Sequence, residues 1–211
     1  MKGMIAMNVE RVSEEYMKGT RVVLNEMAGE DKMPSGLRGT VTSVDDIGQI
    51  HVAWDNGSSL ALSEGDSFSK ADTMKVLLVR PGEKAEMVEM NDSLESMQNA
   101  VGGMIEEYMP FDDDIAIVCN EEGKLMGLPP SRAIYGEDGC LLDVMSGTFF
   151  VCYAPIESEK FLSLPPDMEK KYSEMFKSPE EFFRTSEGIK VVKMEPKERK
   201  GPAEKSTGME R

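Results

Sequence analysis

Between residues 20 and 62, apolar and β-branched positions alternate with polar ones in short runs. This period of two predicts strands at 20–24, 39–44, 50–54 and 59–62. Turn formers separate the runs: Pro34-Ser35-Gly36, Asp45-Asp46-Ile47-Gly48 and Asp55-Asn56-Gly57. Asn56-Gly57 predicts a two-residue hairpin, because both residue types tolerate the positive φ of a type I′ turn. Alternation through Ile50-His51-Val52-Ala53-Trp54 sets Ile50, Val52 and Trp54 on one face and turns His51, the single histidine, outward. Upstream, Ile5, Val9, Val12 and Tyr16 recur at helical spacing and give residues 1–18 a short leading helix. Residues 63–73 are small, polar and glycine-containing, and read as a linker closing a small β-barrel at 19–70.

A second domain, 74–184, then begins. Apolar strands are predicted at 75–79, closed by Pro81-Gly82, and at 85–90. From Asp92, Leu94, Met97, Val101, Met104, Ile105 and Tyr108 recur at helical spacing, which predicts one long helix ended by Pro110, with Asp92 as N-cap and Glu95 reciprocating. Gly102-Gly103 interrupts that helix at about 1 kcal/mol per glycine relative to alanine, a cost that close backbone packing would offset. A buried strand at 115–119, a polar turn at 120–124, and a loop with one helical turn at 125–134 follow. Strands at 141–145 and 148–153 come next, the second apolar on both faces. A helix opens at Pro165-Pro166-Asp167 with Met168, Tyr172, Met175 and Phe176 on one stripe, and Ser178-Pro179-Glu180-Glu181 signals a final short helix. Past Arg184 the composition turns polar and charged, and 185–211 reads as a disordered tail. The fold class expected is α+β: an N-terminal barrel, then a mixed α/β domain whose long helix packs on a sheet of about five strands.

Composition narrows the function. The 39 acidic and 24 basic residues leave a net charge of -15, which repels phosphate backbones and anionic lipid and argues against direct nucleic-acid binding. It fits a solvated surface, or attraction to a basic, nucleic-acid-binding protein. The acids placed to meet such a partner are Glu106, Glu107, Asp112, Asp113, Asp114, Glu121 and Glu122. Asp112 to Asp114 lack the alternating ligands of a calcium loop. Cys119, Cys140 and Cys152 are odd in number, form no CxxC pair, and read as reduced, buried thiols. No cofactor or metal is expected and no convergent set of catalytic groups stands out. With no signal-peptide core and no apolar span of membrane length, the expected location is the cytoplasm.

The Gly36, Gly39 and Trp54-Asp55-Asn56-Gly57 combination resembles the middle strands of SH3-like barrels. That resemblance makes Trp54 a candidate contact, although its alternation with Ile50 and Val52 favours the core. Residues 75–183 resemble an uncharacterised family found in phages, prophages and conjugative elements of Gram-positive bacteria. The resemblance rests on Val101-Gly102-Gly103-Met104-Ile105-Glu106, Cys119 to Leu125 with Gly127-Leu128-Pro129, Arg132-Ala133, and Ser146-Gly147-Thr148-Phe149-Phe150. Ser131 stands where the family usually has asparagine. The setting implies a non-catalytic inhibitor of a host defence system, of CRISPR or nuclease type. The alternatives are an SH3-like adaptor that binds nucleic acid or a replication protein through Trp54 and the basic tail, and a protein that sequesters a small molecule or nucleotide signal. The latter would use a pocket at Gly102, Gly103, Asn120 and Arg132.

Overall fold

A computed structural model of the chain describes residues 9–30, 32–186 and 188–195. The leading helix α1 (Val9–Glu15) lays Val12 and the following Tyr16 against the first core. Strands β1 (Arg21–Glu26), β2 (Arg38–Val44), β3 (Ile50–Trp54) and β4 (Ser67–Lys70) form a four-stranded antiparallel sheet in the order β3-β2-β1-β4. Its core is Val22, Leu24, Val41, Ile50, Val52, Trp54 and Leu62.

Several expectations for this region change. The strand expected at 59–62 contracts to a single bridge between Leu62 and Ile50. The linker expected at 63–73 instead contains β4, paired along β1 through Val23 opposite Ser69. Phe68 is the one apolar residue of β4 and packs on Tyr16 with ring centroids 5.3 Å apart, too little hydrophobicity for a periodic signal. The outer strands β3 and β4 do not pair with one another, so the sheet is open and no closed barrel forms. At Asp55-Asn56-Gly57 only Gly57 takes a positive φ, of 85°. Its N–H bonds the Trp54 carbonyl while the Trp54 N–H reaches Ser58 O, a longer loop than the type I′ hairpin expected.

The rest of the chain supplies β5 (Thr73–Val79), β6 (Glu86–Asn91), α2 (Leu94–Val101), β7 (Ile105–Tyr108), β8 (Ile115–Asn120), β9 (Pro130–Tyr135), β10 (Leu141–Ser146), β11 (Phe149–Tyr153), α3 (Pro166–Met175), β12 (Glu180–Thr185) and β13 (Gly188–Lys193). Five of these strands make the central antiparallel sheet, ordered β6-β5-β11-β8-β7. Both faces are covered, which is why β8 and β11 are almost continuously apolar. One face carries Val76, Ala116, Val118, Phe150 and Cys152 against Met97 and Val101 of α2. On the other, Leu77, Ile117, Phe149 and Val151 meet Tyr172 and Phe176 at α3, with Ile134 and Met145 from the β9-β10 pair. Among the described residues the result is mostly β, with three short helices and several small sheets. No helix of the described residues is long and apolar enough to cross a membrane.

The long helix expected from Asp92 to Tyr108 is not formed. The helix α2 has eight residues and is capped by Ser93, whose hydroxyl accepts from the Ser96 N–H at 3.2 Å. Gly102 ends it in the left-handed conformation, φ 77°, with its N–H on Gln98 O. The chain then turns into β7. Ile105 and Tyr108, three apart, keep the helix period but in β7 pack on opposite faces of the sheet, and the glycine pair, read as an interruption, is the stop signal. Likewise, the helical turn expected near Ser131 is β9, and the final helix expected at Glu180 is β12. There the Glu180 carboxylate accepts the Ala133 N–H at 2.7 Å and Phe182 pairs with Val191. Residues 185 and 188–193, assigned to a tail, therefore lie in a hairpin, and 187 and 196–211 fall outside the described residues.

The two sheets meet at a seam. The Gly19 N–H donates to Val41 O at 2.8 Å, and the Gly19 carbonyl accepts from Ser163 N–H at 3.0 Å. Ser163 Oγ accepts from the Lys75 N–H at 3.0 Å, and the Leu164 N–H donates to Lys75 O at 2.8 Å. Gly19 is required here twice over: its φ is 89°, and a Cβ would lie 2.8 Å from Ser163 O. Gly57 has a similar φ but open space around it. Gly19→Ala should therefore lower stability in urea unfolding by about 2–4 kcal/mol and Gly57→Ala by only about 1 kcal/mol, the excess being the clash. Equal losses would show that the seam yields without strain.

Candidate functional site

The expected pocket at Gly102, Gly103, Asn120 and Arg132 is not assembled. Asn120 is buried at the end of β8, and its Nδ2 donates to Gly102 O at 3.0 Å and Val101 O at 3.5 Å. Its Oδ1 accepts the Glu122 N–H at 2.9 Å. A Cβ on Gly103 would stand 2.5 Å from that Nδ2, so the glycine makes room for the amide. The three residues do come together, as a filled clamp tying the end of α2 to the 121–122 turn. Arg132 has other partners: its buried guanidinium donates to the carbonyls of Phe176, Ser131 and Glu83. Desolvation lowers its pKa, with Glu180 opposing. Trp54, the candidate barrel contact, is 3% exposed and its indole N–H donates to Leu60 O at 2.8 Å, which makes it core. His51 lies outside the core with Nε2 3.2 Å from Asp45 Oδ2.

The acidic candidates are organised by one strand. β7 is an edge strand, and antiparallel pairing opposes Glu106 to Cys119 and Glu107 to Val118. On a helix these neighbours would diverge by about 100°; on a strand they take opposite faces. Glu106 thus joins the face of Cys119, where burial pushes the thiol up to about 11 with Glu106 adding to it. Glu107 is on the α2 face, where burial and then Glu107 raise the Cys152 thiol. Neither thiol is a nucleophile near neutral pH. Cys140 is exposed, contrary to the reading of all three as buried.

At either end of this edge the other acids follow. Glu121 and Glu122 begin the turn after β8, both exposed, with the Glu121 N–H on Met104 O at 2.9 Å. Asp112 and Asp114 are exposed just before β8, but Asp113 between them is engaged by Lys171 Nζ and by the Tyr172 hydroxyl at 3.0 Å. The hydrogen bond from Lys171 holds the Asp113 carboxyl below its ordinary value, partial burial opposing it. Burial, then Asp113, raises the Tyr172 phenol. Asp113 is thus a structural residue, and the free acids are the other six. Among the described residues no three His, Cys, Asp or Glu side chains gather to hold a metal ion.

Beside the edge, on the α2 face, runs a groove of about 470 Å3 that the sequence did not reveal. Leu94, Met97, Ile105, Met109, Ile156 and Phe161 give it apolar walls; Asp92, Glu107, Glu159 and Lys160 stand at its sides. Asp92, expected to cap α2, instead pairs with Lys160 at 3.4 Å. Leu94, Met109 and Ile156 are exposed, Ile156 at 93%. The available signal was Ile156 itself, a large apolar residue immediately before the polar stretch from Glu157 to Lys160.

Residues 6–71 match the family model of a domain of unknown function (DUF4314), and residues 74–177 match that of a second domain of unknown function (DUF3846), in that order. No curated protein and no solved structure matches the chain.

Two outcomes are expected at these residues. Asn120→Ala strands the Gly102 and Glu122 backbone groups, and Gly103→Ala collides with the amide, so each should cost about 1–3 kcal/mol. The double variant should cost less than the sum, because the new methyl occupies vacated space; strict additivity in urea unfolding would refute the clamp. Asp113 has a depressed carboxyl pKa, so its stabilisation is complete above the ordinary value near pH 4 and is lost as pH falls through the lowered one. The Tm gap between the wild type and Asp113→Asn should accordingly close in acid, and a gap undiminished at about pH 2 would contradict the assignment.

Proposed function

We propose that this chain is a non-catalytic accessory protein of a mobile genetic element that binds and inhibits a host defence protein of CRISPR or nuclease type in the bacterial cytoplasm. Its target is a basic, nucleic-acid-handling protein, and the mechanism is occlusion of a basic groove. The observation that carries the reading is the acidic free edge: Glu106 and Glu107 on both faces of β7, Glu121 and Glu122 beyond one end, Asp112 and Asp114 beyond the other. A net charge of -15 attracts a basic partner at long range and repels bare nucleic acid. The resemblance of residues 75–183 to a family of mobile elements supports the setting. We also infer that the first sheet, with its Ile50 to Leu62 bridge, is an opened SH3-like unit.

The adaptor reading loses support because Trp54 is enclosed, and the sequestration reading because Asn120 fills the space beside Gly103 and, of its four residues, only Gly102 lines a groove, one of about 470 Å3.

Charge reversal tests the proposal. Glu106→Lys with Glu107→Lys should weaken inhibition of purified host CRISPR effectors or defence nucleases roughly tenfold or more at low salt, and wild-type inhibition should itself decline as salt rises. Inhibition indifferent both to reversal and to salt from about 0.05 to about 1 M would sink it.

A further inference from the structure

We propose that β7 is an acceptor edge for strand addition: an extended, basic segment of the partner protein pairs antiparallel with β7 and seats apolar side chains in the adjoining groove. This deepens the proposed function and rests on its reading of the partner as a basic protein.

The backbone makes the first argument. The Glu121 N–H donates to Met104 O across to β8, and the register runs Ile105 opposite Asn120 to Tyr108 opposite Ile117. In an antiparallel ladder the residues whose N–H and C=O face the neighbour alternate with those that face away. Met104, Glu106 and Tyr108 therefore face β8, and Ile105 and Glu107 turn their backbone groups outward. Within the described residues nothing meets those groups, since β7 ends the strand order. A row of unpaired N–H and C=O groups is a template for another strand.

Side chains supply the second argument. Ile105, Glu107 and Met109 line the groove, so an added residue opposite Ile105 or Glu107 would point its own side chain toward Leu94 and Ile156. The residue between them would emerge on the face of Glu106. An incoming strand that alternates apolar and basic residues thus meets the apolar walls, with Glu107 beside them, on one side and Glu106 on the other.

Charge also selects the occupant. A second copy pairing through its own β7 about the same outward groups would set Glu106 against Glu106, and like charges directly opposite destabilise a ladder. The edge is thereby closed to itself and open to a basic strand.

A nine-residue alternating valine–lysine peptide provides the probe, with two analogues that keep charge and composition. N-methylation at the valines removes the N–H groups that would bond β7, whereas N-methylation at the lysines removes those pointing away. The parent and the N-methyl-lysine peptide should bind alike, and the N-methyl-valine peptide roughly tenfold more weakly, for the loss of one or two backbone hydrogen bonds. The amides of Ile105 and Glu107 should gain protection from hydrogen exchange on binding of the parent. Ile105→Pro removes an outward N–H without touching the β8 ladder and should weaken the parent similarly; the peptide series decides even where this variant fails to fold. If all three peptides bind equally and Glu106→Lys with Glu107→Lys weakens them all, strand addition is overturned and the electrostatic reading stands. No binding, with inhibition of host effectors also indifferent to reversal, overturns both. A dimer in sedimentation with those two amides already protected assigns the edge to a second copy and overturns the proposal.

Discussion

A single buried guanidinium holds the two halves of this molecule in register. Arg21 is 3% exposed and lies on β1, yet its partners come from two sheets. Its Nη1 donates to Thr40 Oγ1 at 3.3 Å and Asp55 Oδ1 at 3.0 Å, and Nη2 reaches Asp55 and, at 3.2 Å, Glu89 of β6. Glu89 is further held by Arg38 and by the Thr73 hydroxyl, each at 2.6 Å. Burial works against the charged guanidinium, but Asp55 and Glu89 outweigh it and raise its pKa. Removing one partner of a fully buried pair costs about 3–5 kcal/mol; the effect here is smaller, because the Asp55 side chain is 38% exposed and water screens it. Geometry is the larger consequence. With Glu89 fixed at the seam, β6 becomes the anchored end of the central sheet and β7 the far end, about 19 Å away across four strand spacings.

That polarity explains why the acids are where they are. An exposed sheet edge invites unwanted pairing, and charged side chains on it are a common protection. The same charges that deter another copy of this chain are an attraction to a lysine- or arginine-bearing segment, so protection and selectivity follow from one placement of Glu106 and Glu107. The groove adds what charge alone lacks, a position for apolar side chains next to a defined backbone edge.

How much of this was legible depended on length and burial. Strands that bury both faces, at 73–79, 115–120 and 149–153, announced themselves as continuous apolar runs, and β3 did so through strict alternation. What failed was short. The apolar residues of β7, Ile105 and Tyr108, stand three apart, which matches a helix period and puts them on opposite faces of the strand, and β4 carries one apolar residue in four. The β12-β13 hairpin carries exposed Phe183 and Ile189, and a glutamate-rich start, which mimicked a helix cap. In each case tertiary pairing decided a segment whose local preferences were balanced.

The acidic residues illustrate the same limit at the level of function. Sequence identified Glu106, Glu107, Asp112 to Asp114, Glu121 and Glu122 as one set but placed two of them on a helix, where neighbouring carboxylates share a broad solvated flank. On a strand the same two residues lie on opposite faces of a sheet edge, one beside the groove and one beside Cys119, and the backbone between them becomes available for pairing. Gly102 causes the difference, since its left-handed conformation ends α2 and lets the chain reverse into β7, and the Asn120 amide holds that reversal against β8. The glycine pair, read as an interruption of a helix beside a possible pocket, is instead the device that creates an edge.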